Sequence, residues 1–81
     1  MNIEEVTEII NEWDPINLLS HAPPDEYKLE IASVMVVLSD TNRIEEVADG
    51  IQKIFIYCFG ADVFKRSYQE CFEIAEKLLK K

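Results

Sequence analysis

The sequence predicts an all-α protein, either a compact four-helix bundle or an irregular helical array, with one short extra helical turn after the first helix. Three observations carry this expectation. Apolar residues recur at three- and four-residue spacing in four segments, helix-start and helix-stop residues bracket those segments, and the chain holds only 2 Gly and 3 Pro. A length of 81 residues with 48% hydrophobic side chains suits one core and not two, so residues 1–81 are read as a single helical domain.

The elements follow in order. Helix one is expected over 3–12: Asn2 is an N-cap, Glu5 completes a capping box, and Ile3, Val6, Ile10 and Trp13 form the apolar stripe. Asp14-Pro15 reads as a cap followed by proline at a first helical position, which predicts the extra turn through Ile16-Asn17-Leu18-Leu19. Pro23-Pro24-Asp25-Glu26 opens helix two, with carboxylates where the helix dipole favours them, and the helix runs to about Ser39. Tyr27, Ile31, Val34, Met35 and Leu38 share one side of it, while Leu29, Val36 and Val37 spread apolar character around the rest. Such a helix belongs in the middle of a bundle. Helix three is expected over 43–59, capped by Asn42 with Glu45, with Ile44, Val47, Ala48, Ile51, Ile54, Phe55 and Cys58 inward and Asp49 paired with Lys53 outward. Gly50 inside it points to a close crossing or a kink, and Gly60 is the natural stop. Helix four is expected from an Asp62 cap to the C-terminus, with Phe64, Tyr68, Cys71, Phe72, Ala75, Leu78 and Leu79 as its stripe.

Composition then narrows the function. With 16 acidic against 8 basic residues the net charge is −8, which argues against binding nucleic acid or anionic membranes, since both need basic surface. No run approaches the roughly 20 apolar residues of a membrane span, and Met1-Asn2-Ile3-Glu4-Glu5 lacks a signal-peptide pattern, so a cytoplasmic setting is expected. Cys58 and Cys71 have no C-x-x-C spacing, and an antiparallel reversal near Gly60-Ala61-Asp62 leaves them roughly 9 Å out of register, so both are expected as reduced core thiols. Acidity is concentrated at the N-terminal end. Glu4, Glu5, Glu8, Glu12, Asp14, Asp25 and Glu26 occur before residue 27 with no Lys or Arg among them. These seven are the candidate partner-binding residues, either a solvated face partly neutralised by the basic end of helix four or a docking surface for a basic protein.

Sites of chemistry are sparse. His21 with Asp25 and Glu26 is the one constellation suggesting a metal or an acid–base pair, but one imidazole beside two helix-start carboxylates falls short of a transition-metal set. No E-x-x-H pair, phosphate loop, EF-hand spacing or nucleophile elbow occurs, so neither catalysis nor a cofactor is expected. Trp13 and Tyr27 are expected to close the core with hydrogen-bonded polar tips, and Ile56 and Tyr57 lie off the main stripe of helix three, where a second subunit could pack in a homodimer.

Trp13-Asp14-Pro15-Ile16 followed by Asp25-Glu26-Tyr27 resembles the W-D-P … D-E-Y pattern of the YugE-like family of small uncharacterised bacterial proteins of Bacillus type. Asn17 stands where the wider pattern has glycine. The resemblance implies an all-helical cytoplasmic protein of bacteria with no activity to transfer. Proteins with similar motifs also resemble immunity candidates in toxin systems, a role an acidic surface would suit. The reading that emerges is a non-enzymatic interaction or regulatory module, the alternative being a small-ligand or metal-dependent enzyme using His21, Asp25 and Glu26.

Overall fold

The computed structural model describes residues 2–16 and 27–80, and the described residues form four helices and no strand: α1 (Ile3–Trp13), α2 (Lys28–Asp40), α3 (Ile44–Phe59) and α4 (Tyr68–Lys80). The expected all-α bundle is what forms. α1 starts as its capping box dictates, with the Asn2 side chain accepting from the Glu5 N–H at 2.9 Å and the Glu5 carboxylate accepting from the Asn2 N–H at 3.3 Å. Its inward residues are Val6, Ile9 and Ile10, whereas Ile3, counted in the sequence stripe, is exposed.

The other helix starts differ from expectation, each for a local reason. Asp14 closes α1. It is the C-cap of α1, in the left-handed region at φ 45°, and its N–H returns to the Ile10 carbonyl. Pro15 and Ile16 form a turn, and the rest of the expected extra helix lies outside the described residues. Tyr27, expected inside helix two, is its N-cap, so α2 begins at Lys28; Pro23 to Glu26 lie outside the described residues. At α3 the N-cap is Arg43, not Asn42, and no side chain caps the helix; just before it the Thr41 hydroxyl accepts from the Arg43 N–H at 3.1 Å and donates to the Glu46 carboxylate. α4 begins six residues beyond Asp62. Gly60, at φ 91°, ends α3, its carbonyl accepts from the Val63 and Phe64 N–H groups, and Phe64 drops into the core. Ser67 then caps α4 by accepting from the Glu70 N–H at 3.2 Å, a Ser-x-x-Glu start that prevails once Phe64 is buried.

The helices neighbour one another in ring order, α1 on α2, α2 on α3, α3 on α4 and α4 on α1. α2 and α3 are antiparallel, since Val37 lies against Gly50 while Glu30 reaches Cys58. The connection after α3 turns back, Phe64 stacking on Phe55, and α4 starts where the Tyr68 hydroxyl donates to the Glu45 carbonyl in the first turn of α3. That return path removes the simple reversal from which the cysteine register was reckoned. Cys71 is a buried free thiol, but Cys58 is exposed and not a core residue. Inside the ring, Trp13, Tyr27, Phe55, Phe59 and Phe64 meet at centroid separations of 5.4–6.3 Å in edge and stacked contacts. Around them pack Val34, Val47, Ile51, Cys71, Ala75 and Leu78. α2 is not central: it touches two neighbours, and Leu29 and Val36 are 75% and 61% exposed. Of the α4 residues, Ile74 joins the core while Tyr68 stays exposed. No helix among the described residues is long and apolar enough to cross a membrane.

Candidate interaction surface

The seven acidic candidates separate once their surroundings are known. Glu4, Glu8 and Glu12 are exposed and one turn apart, a row along the solvent side of α1. Glu5 is engaged in the capping box. Asp14 belongs to a different construction, described next, and Asp25 and Glu26, with His21, lie outside the described residues. Across an open groove of about 350 Å³, Glu8 and Glu12 on α1 face Lys77 and Lys80 on α4, with Ile9 between them. Lys80 also pairs with Glu76 at 3.8 Å along its own helix. The expected approach of the acidic helix to the basic end of helix four is therefore present, and it tempers Glu8 and Glu12 more than Glu4.

Asp14 holds the C-terminal end of α1 to the start of α2. The Tyr27 hydroxyl donates to Asp14 Oδ1 at 2.5 Å and accepts from the Ile16 N–H at 3.3 Å, with the Tyr27 ring fully buried. On the other side Arg66 Nε donates to the Pro15 carbonyl at 2.8 Å, and Trp13 Nε1 donates to the Glu70 carboxylate at 3.3 Å. Arg66 and Glu70 lie 3.8 Å apart, closing the network. The W-D-P segment and the tyrosine of D-E-Y are thus brought together by direct bonds, as a clamp over the aromatic core. Arg66 and Glu70 were missed as clamp members from the sequence because 51 and 57 residues separate them from their partners. The one local signal was Ser67-x-x-Glu70, which places Glu70 in a helix's first turn.

Nucleophilic chemistry is poorly served. Burial, with the Glu70 charge adding to it, pushes the Cys71 thiol up to about 11. Partial burial and a hydrogen bond to Glu30 raise Cys58 as well. Both favour the thiol over the reactive thiolate. Glu30 itself is a carboxylate at 5% exposure, with Oε1 lacking a hydrogen-bond partner among the described residues. No group of three or more His, Cys, Asp or Glu among the described residues is placed to hold a metal ion.

Comparison with known proteins gives one match. A family described as a Domain of unknown function (DUF1871) matches residues 5–81. No curated protein and no solved structure matches the chain.

Proposed function

The chain belongs to the DUF1871 family, and we propose that it works as a non-enzymatic interaction module that binds a basic partner protein along α1. The observation that carries this reading is the exposed row Glu4, Glu8 and Glu12. Like charges one turn apart destabilise a helix by about 0.2–0.5 kcal/mol per pair, so the row works against the helix that displays it. Lys77 and Lys80 offset this on the groove side and leave the solvent side negative. A basic surface would find there a line of charges with a repeat of roughly 6 Å, four residues of helix, and the net charge of −8 would speed its approach. Of the other candidates, Glu5 and Asp14 support this surface by holding the two ends of α1, while Asp25 and Glu26 extend the same acidic run in sequence. The proposal takes the YugE-like resemblance, and with it a bacterial cytoplasm, as the setting.

The test is capture of partners from cell extract on the immobilised chain, with washes between about 0.05 and 0.5 M salt, beside the triple variant Glu4→Gln, Glu8→Gln, Glu12→Gln. Capture of a basic protein that salt and the triple variant both abolish supports the reading. Capture indifferent to both refutes it.

A further inference from the structure

We infer that the outward side of α2 is a self-association surface, on which a second copy of this chain packs its own α2 antiparallel across a two-fold axis. The side that α2 turns to solvent carries Lys28, Leu29, Ala32, Ser33, Val36 and Asp40, all exposed, with Leu29 at 75% and Val36 at 61%. At 100° per residue Leu29 and Val36 fall within about 20° of each other, with Ala32 between them along the axis, so they form one continuous apolar strip. Tyr57, 90% exposed, borders it: Tyr57 lies two turns from Gly50 on the same side of α3, and Gly50 abuts α2 at Val37.

Charge selects the occupant. Between Leu29 and Ser39 this side presents no charged residue, since Glu30 is buried. A basic protein gains little from a neutral strip when the α1 row is available. A second copy, itself carrying −8, is repelled wherever acids project and meets least repulsion here. The strip's ends then fix the direction. Lys28 stands at one end and Asp40 at the other, so antiparallel pairing sets each Lys28 against Asp40 of the second copy and seats Val36 over Ala32. Parallel pairing would oppose Lys28 to Lys28 and Asp40 to Asp40. Ala32 and Ser33 at the crossing allow the axes to approach at the near end of the usual 8–10 Å range. A two-fold contact of this kind is self-complementary, as isologous interfaces must be. This inference is independent of the α1 reading, because the two surfaces share no residue.

Sedimentation equilibrium of the full chain at roughly 100 μM tests it, a range in which a micromolar dimer is populated. A dimer is expected. Val36→Lys should weaken it at least ten-fold, Lys28→Asp should weaken it about three- to ten-fold, and the swap Lys28→Asp with Asp40→Lys should restore it to within about two-fold. Far-UV circular dichroism confirms that each variant is folded, and if Val36→Lys is not, the two end-charge variants carry the test alone. A monomer at that concentration overturns the inference, as does a dimer indifferent to both Val36→Lys and Lys28→Asp; a monomer that still captures a basic partner leaves the α1 proposal standing.

Discussion

Asp14 shows how one residue can both end a helix and tie it to the next. Its backbone is left-handed, a conformation Asp tolerates and alanine does not, and its carboxylate receives the hydroxyl of a fully buried tyrosine. A hydrogen bond to a charged group contributes about 1.5–3 kcal/mol. Tyr27→Phe is therefore expected to lower stability by about 2 kcal/mol, and Asp14→Ala by a similar amount plus about 1 kcal/mol for the strained backbone. In a urea-denaturation cycle the double variant should lose less than the two single losses added together. Strict additivity would mean that the bond contributes nothing. Cys71 gives a pH signature. Its thiol ionises near 9.0 when unfolded and at about 11 when folded, so the folded chain holds the proton more tightly. The resulting stabilisation is complete below pH 9 and is lost as pH rises through about 11. Cys71→Ala should flatten that alkaline decline relative to the parent chain, and parallel stability–pH curves for the two would contradict the assignment.

Within elements, competition between local signals decided the boundaries. Asn42 and Asp62 were adequate caps in isolation, yet Arg43 is the N-cap of α3 without a side-chain bond and Ser67 caps α4, with Phe64 buried in the core between Asp62 and that helix start. At Gly50 the sequence left a close crossing or a kink open, and the structure shows the close crossing. A Cβ there would sit 3.1 and 3.2 Å from the two methyls of Val37, whose β-branched side chain has little freedom to turn away. Helix propensity favours alanine over glycine by about 1 kcal/mol, and overpacking costs about 1–3 kcal/mol. Gly50→Ala should thus destabilise the parent chain, while in a Val37→Ala background the same change should stabilise by about 1 kcal/mol, as read by thermal melts. A stabilised Gly50→Ala in the parent would show that α2 yields readily.

Across the whole molecule, closure of the ring sorts the side chains into three groups. The aromatic cluster and the aliphatic residues around it fill the centre, the clamp ties α1 to α2 and α4, and most other charges, with Leu29, Val36 and Tyr57, face solvent. α2 shows why this sorting resisted sequence reading. Apolar residues on every side imply a central helix only if three neighbours cover it, and here two do, which leaves Leu29 and Val36 outside. The α1 row was legible because its residues are local: periodicity alone put Glu4, Glu8 and Glu12 on one side. The bond from Tyr27 to Asp14 was not legible because Tyr27 lies across a connection whose path periodicity does not describe. What the sequence by itself determined was the number and kind of helices among the described residues, most of their inward residues, the capping box at Asn2 and the stop at Gly60, all effects that act within one or two turns. Only the tertiary structure decided where α4 starts, how Arg66 and Glu70 came to hold Pro15 and Trp13, and which side of an all-apolar helix stayed open. Those outcomes depend on contacts between residues far apart in the chain, whose free energies exist only once the helices have packed.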